Sequence, residues 1–267
     1  MDAVYRVEGD RVIVGPHAAG PWDCRMQHGA APSSLAVWAA ERIATPVPMR
    51  IARVTVDLMR PVPLVPLTLE TEVLRQGRKI QLCTVRLKAD GVLVAAANVL
   101  KVRCGQERLP PIPETRVELP GPEQSLAASG NFSGSPFVDG MSLRPARSRL
   151  GVAGPAAVWF RIERPLVEGS PVSQAMRAVV ASDFANGTAP LDFREWTFLN
   201  ADLTVSMARE PRGDWILLDG ESWIGPDGSG LSMARLADER GYFGRAAQSL
   251  VIERRRRRKD GGAAAVS

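Results

Sequence analysis

Histidine and cysteine are scarce in this chain of 267 residues, and the scarcity removes several classes of chemistry at once. Only His17 and His28 occur, too few ligands for most histidine-based metal centres. The three cysteines, Cys24, Cys83 and Cys104, are odd in number and form no C-x-x-C, so neither a disulfide framework nor a zinc ribbon is implied. They read as reduced structural thiols, and no metal and no cofactor is expected. A G-x-S-x-G elbow is missing, which disfavours a Ser-His-Asp hydrolase, as are the glycine-rich loops that cradle nucleotide phosphates. The opening MDAVYRVEGDRV is polar and alternating, unlike a secretory leader, and no run approaches the roughly 20 apolar residues of a membrane span. A soluble, cytoplasmic protein is the expectation.

What is there is a 45% hydrophobic composition, enough for a real core, and a formal charge of +5. Arg254 to Arg258 and Lys259 supply six positive charges, more than the whole excess, so the fold itself is close to neutral. The block reads as a solvated, self-repelling tail over 254–267. Binding of nucleic acid there would be non-specific and salt-sensitive, and no nucleic-acid partner is expected.

The chain repeats itself. VTVDLMRPVP from Val54 resembles LTVSMAREP from Leu203 at a shift of 149, LCTVRLKADG from Leu82 resembles LSMARLADERG from Leu231 at about the same shift, and ANVLKVR from Ala97 answers AQSLVIE from Ala247 at 150. Both copies share one grammar of elements. In the first, a hairpin over Tyr5 to Val14 turns at Gly9-Asp10, a helix runs from Gly29 to Ile43, and extended runs follow at Ile51–Met59, Leu67–Leu74, Ile80–Lys88 and Val92–Arg103. In the second, Val158–Glu163 is extended, Pro171–Asp183 is helical with proline in the first turn, and Leu199–Met207, Trp215–Ile224, Leu231–Leu236 and Phe243–Glu253 are strands. One helix followed by a twisted antiparallel meander is a sheet that curls around its helix, the hotdog arrangement. The expectation is an α+β double hotdog: a first repeat over 1–104, a Pro/Gly/Ser-rich linker over 105–154, a second repeat over 155–253 and the basic tail.

Chemistry is sought where polar residues interrupt apolar patterning, because a buried polar group costs a few kcal/mol without a partner or a task. Asp183 follows Val179 by four residues and Met176 by seven, which points a carboxylate inward from the second helix. It suits a general base, or it simply ends the helix before Asn186-Gly187. Gln248 shares an apolar row with Leu250 and Ile252, where it either holds a water or thioester carbonyl or satisfies neighbouring backbone. Asn98 is its counterpart by the repeat. In LNADLTVSM from Leu199, Asn200, Asp202, Thr204 and Ser206 form one polar face, and periodicity cannot say whether it meets solvent or the helix. The first copy has Ile51 and Arg53 in place of Asn200 and Asp202, so chemistry belongs to the second half. His28-Gly29-Ala30 lies at a helix N-terminus, where backbone N–H groups can bind substrate and an oxyanion, with His28 either facing the ligand or capping locally.

RMQHGA at Arg25, ASDFANG at Ala181, LNADLTV at Leu199 and GRAAQSL at Gly244 resemble the acyl-CoA thioesterase II type of double-hotdog enzymes, and more closely its actinobacterial thioesterase-like branch. The likeness covers nearly the whole chain. It implies hydrolysis of fatty acyl-CoA by general-base activation of water, with an Asp, a Thr or Ser and a Gln falling on Asp183, Asn200 and Gln248. Asn200 departs from the hydroxyl residue of that pattern. A non-catalytic acyl or acyl-CoA binding protein, or a hotdog hydratase or dehydratase that would need an Asp/His pair using His28, are the alternatives. Open sheet edges lead to a homodimer as the expected assembly.

Overall fold

The computed structural model describes residues 2–105, 110, 112–125 and 135–255. In chain order the elements are β1 (Tyr5–Glu8), β2 (Arg11–Val14), α1 (Ala30–Glu41), β3 (Met49–Asp57), β4 (Leu67–Gln76), β5 (Ile80–Ala89), β6 (Val92–Arg103), β7 (Met141–Arg147), β8 (Ala156–Ile162), α2 (Gln174–Ser182), β9 (Trp196–Asn200), β10 (Asp202–Met207), β11 (Ile216–Ile224), β12 (Ser229–Asp238) and β13 (Gly241–Arg254). All pair antiparallel in one sheet, in the order β1-β2-β4-β5-β6-β3-β10-β13-β12-β11-β8-β7, with β9 also on β13. The sheet carries both helices, and the architecture is a double hotdog.

Register and repeat together define a pseudo-twofold axis. Across the central β3/β10 pair Thr204 faces Thr55, its own equivalent at the 149-residue shift, while Ser206 faces Arg53 and Asp202 faces Asp57. The Thr204 and Thr55 hydroxyls meet at 3.3 Å on this axis. The same registers correct one sequence-based pairing: Thr55 faces Asn98 in β6 as Thr204 faces Ala247 in β13, so Val99, not Asn98, stands where Gln248 does.

Helix α1 buries ten of its twelve residues, AAPSSLAVWAAE being small enough for sheet and second helix to approach from every side. Helix α2 starts later than expected. Pro171 lies outside it, and Ser173 is the N-cap, its hydroxyl accepting from the Met176 N–H at 3.1 Å. Ser173→Ala is expected to lower stability by about 1 kcal/mol, read as a fall in thermal midpoint of about 2–4 °C for a chain of this size.

The segment expected as linker is partly structured. β7 pairs with β8 through Met141↔Ile162 at the sheet's edge, where Pro145 is tolerated and discourages further pairing. Residues ahead of it strap the outer face of the second half, with Tyr242 N–H donating to the Thr115 carbonyl and Trp159 Nε1 to that of Pro120, each at 2.9 Å. Of the basic tail, only Arg254 and Arg255 fall within the described residues, among which no helix is long and apolar enough to cross a membrane.

Candidate active site

The two helices lie against each other so that the start of α1 meets the end of α2. Asp183 is the C-cap of α2 and is 2% exposed. At the negative end of its own helix a buried carboxylate is poorly placed, but the positive N-terminus of α1 faces it and opposes that field. The contact is close: a methyl group on Gly29 would lie 2.9 Å from Asp183 Oδ1 and 3.0 Å from Oδ2. Gly29 has ordinary right-handed helical angles (φ −55, ψ −32), so glycine is required here by space and not by backbone conformation.

Two side chains complete the carboxylate's surroundings. Asn200 Nδ2 donates to Oδ1 at 2.9 Å, and His28 Nδ1 lies 3.0 Å from Oδ2. The Ala30 N–H also points at His28 Nδ1, at 3.2 Å. One ring nitrogen has a single in-plane position, so it accepts from Ala30 or donates to Asp183 but not both. With Asp183 ionised, the tautomer that satisfies the buried charge carries its proton on Nδ1. The imidazole is sandwiched between Phe137 and Phe184, with ring centroids 5.0 and 4.8 Å away. Its loop is pinned by His28 N–H donating to the Ala18 carbonyl, by Gln27 Nε2 donating to that of Pro63, and by the buried Tyr5 hydroxyl donating to Gln27 Oε1. Burial pushes the Tyr5 phenol well above its ordinary range, which keeps it a donor.

Asn200 reaches Asp183 because the strand is interrupted. β9 pairs Asn200 with Leu250 while β10 pairs Thr204 with Ala247, which inserts one extra residue near Ala201. Before the break Phe198 and Asn200 turn inward; after it Leu203, Val205 and Met207 do. The polar row expected from period two is therefore split, and Asp202 on the other side accepts from the Ser249 N–H at 2.6 Å.

His28, Gly29, Asp183 and Asn200 share the wall of a cavity of about 570 Å³ with apolar groups that include Trp22, Leu58, Leu150 and Phe198. Gln248 and Ala30 are not on that wall. Gln248 is fully buried, donating from Nε2 to the Asp183 carbonyl at 3.1 Å and accepting at Oε1 from the Asn186 N–H at 2.9 Å. It fastens the turn that carries Asp183 without touching the carboxylate. Ala30, also fully buried, presents its N–H to His28. Gly29 lies on the wall, and its N–H has no hydrogen-bond partner among the described residues.

The pseudo-axis generates a second cavity of about 220 Å³ at the opposite helix ends, lined by Glu41, Lys101 and Met207 among others. Burial pushes the Glu41 carboxyl up and the Lys101 ammonium down. Ile51 and Val99 stand there in place of Asn200 and Gln248, so the donor set around Asp183 is not reproduced.

Sequence reasoning missed Phe137, which comes from the presumed linker with no periodic signal. It also missed the packing of Gly29 on Asp183, two residues far apart in the chain.

The fold, with a buried acid in a cavity where the two halves meet, defines the class as double-hotdog proteins. Residues 18–102 match the model of the acyl-CoA thioesterase N-terminal domain and residues 113–252 that of the C-terminal domain, and the chain belongs to this family of thioester hydrolases. No curated protein matches it. Among solved structures it is similar to a candidate thioesterase from Novosphingobium aromaticivorans, 20% identical, with a TM-score of 0.72 over 95% of this chain and 100% of the other. A protein with hot dog fold from Alicyclobacillus acidocaldarius is 13% identical, with a TM-score of 0.71 over 93% and 95%. An acyl-CoA thioesterase II from Mycobacterium marinum is 17% identical, with a TM-score of 0.65 over 95% and 96%. At such identities these likenesses speak for the fold.

Proposed function

We propose that the cavity at Asp183 hydrolyses fatty acyl-CoA thioesters with Asp183 as general base. The observation that carries this is a carboxylate 2% exposed, on the wall of an acyl-sized cavity, fixed by one donor on each oxygen. Asn200 and His28 use one lone pair on each oxygen and leave the remainder for a water. Asn200 Oδ1 accepts from the same water, the role a hydroxyl has in the family pattern. Asp183 takes the water proton as its oxygen attacks the acyl carbon, and the tetrahedral oxyanion is met by the Gly29 N–H at the positive end of α1. Collapse expels CoA thiolate and releases the acid. Gln248 holds the Asp183 turn, and Ala30 sets the start of α1 beside His28. Release of free thiol from a panel of acyl-CoAs of increasing chain length tests the reading; no release from any of them refutes it.

One contact favours a second reading. A His/Asp pair 3.0 Å apart is also what a hydratase needs to add water to an enoyl-CoA. His28→Ala separates the two. As an orienting group, His28 is expected to account for about a tenfold loss of kcat in thioester hydrolysis. Under the hydratase reading the wild type consumes enoyl-CoA without releasing thiol, and the variant does neither.

The remaining parts of the reading are a cytoplasmic enzyme of lipid metabolism, halves dividing near 1–104 and 155–253 with β7 on the second, and a homodimer. Exposed Trp223 and Leu231, which pair across β11 and β12, support self-association, which light scattering measures.

A further inference from the structure

The loop between β7 and β8 breaks the equivalence of the two halves, and it reaches the reactive cavity. The two edge hairpins occupy equivalent ends of the sheet, β1-β2 beside β4 and β7-β8 beside β11. The first turns in two residues, Gly9 and Asp10, whereas residues 148–155 make the second loop eight residues long. Of those eight only Leu150 is buried, at 4% exposure, and it stands on the wall of the Asp183 cavity. A surface loop that commits its one buried side chain to a reactive cavity has a place in what that cavity admits.

The loop is fixed in that place. The Gly151 N–H donates to the Gly187 carbonyl at 3.1 Å and the Gly154 N–H to that of Ala189 at 3.3 Å, both in the turn that follows α2. Leu150 packs on Gly187 so closely that a methyl group on the glycine would lie 3.2 Å from its Cβ and Cδ2. Gly187 is four residues past Asp183, roughly 6–8 Å along a helical path, and Leu150 lies at that level beyond the acid. The cavity wall divides by exposure: Met59, Arg60 and Glu253 are exposed, whereas Leu150, Phe184 and Phe198 are buried. A substrate with an apolar chain and a charged nucleotide places the chain on the buried side, because leaving water favours the one and penalises the other. An extended chain advances about 1.2 Å per bond, by the backbone spacing of three bonds in about 3.6 Å, so it meets Leu150 after about six carbons.

We propose that Leu150 closes the acyl end of the cavity and sets the upper limit on chain length, which makes the protein selective for short- to medium-chain acyl groups. This rests on the acyl-CoA reading of the Asp183 cavity. A wall residue of this kind acts through volume, and one methylene more or less in an apolar pocket changes specificity about tenfold or more. Chemistry then comes from Asp183 and chain-length selection from a loop that belongs to neither helix.

The test compares the full-length wild type with Leu150→Ala, which removes bulk from the wall, and Leu150→Phe, which adds it, on straight-chain saturated acyl-CoAs of increasing length. In Leu150→Ala the ratio of kcat/KM for a chain just past the wild-type limit to that for a chain within it is expected to rise about tenfold. In Leu150→Phe the fall-off is expected to begin about two carbons earlier. Opposite shifts of the limit are not what damage to the loop produces, since damage depresses every length alike. A limit that stays where the wild type has it in both variants, with or without a uniform loss of rate, overturns the proposal. Calorimetric titration with S-alkyl-CoA thioethers, which keep the chain and the nucleotide but have no acyl carbon to attack, reads the same limit without turnover. Length-dependent binding that shifts when Leu150 is replaced supports the proposal even if the wild type releases no thiol, an outcome that refutes only the hydrolytic reading. Binding with the same length dependence in all three proteins overturns it.

Discussion

Asp183→Asn should lower kcat for acyl-CoA hydrolysis by about three orders of magnitude while changing KM only a few-fold, since general-base catalysis contributes about 10²–10⁴ and the replacement keeps the shape of the side chain. The amide cannot take a proton from water. Its oxygen can still accept from Asn200 Nδ2, and its NH₂ can donate to His28 Nδ1 once the imidazole proton moves to Nε2. Circular dichroism with thermal melting establishes that the variant is folded when its rate is measured. Full activity in a folded variant would remove Asp183 from the mechanism.

Gly29→Ala should be the most damaging change that leaves every polar group in place. At these helical angles alanine would ordinarily stabilise by about 0.4–1 kcal/mol relative to glycine. Here its methyl would stand 2.9 to 3.0 Å from both carboxylate oxygens, closer than such atoms approach, and the neighbour is a buried group at the end of a packed helix. Overpacking of this kind costs about 1–3 kcal/mol, which reverses the sign of the intrinsic preference. A carboxylate displaced by a fraction of an ångström loses its alignment with the water, and about a hundredfold fall in kcat is expected. In an Asp183→Asn background the same substitution should add little further loss, because both act on one step. Additive losses would mean that Gly29 works on something other than the base, such as the oxyanion alone.

The legible part of this protein is the part written in local periodicity. Val54–Val56 and Leu203–Val205 announce the same strand twice, and the spacing from Met176 through Val179 to Asp183 turns the acid inward; the buried carboxylate follows from those two facts. The position of Gln248 in an inward row was readable in the same way. Its partners were not: a buried amide in an apolar row satisfies whichever backbone group the neighbouring element presents, and here that is the turn after α2. Asn200 shows the limit more sharply. Strict alternation assigns it to the face of Thr204 and Ser206, and one extra residue at Ala201 reverses that assignment. The strand β7 was hidden by its proline, which a central strand would not accept but an edge strand does.

By itself, then, the sequence determined two tandem copies offset by 149 residues, the elements within each, and the inward direction of one acid in the second copy. These are consequences of short-range periodicity, which each segment carries alone. Only the tertiary structure decided that the start of α1 meets the end of α2, bringing His28 and Gly29 from one half onto Asp183 in the other. That meeting depends on the β3/β10 register across the pseudo-axis and on small residues that let the helices touch, and a long-range contact of this kind leaves no periodic trace in either segment.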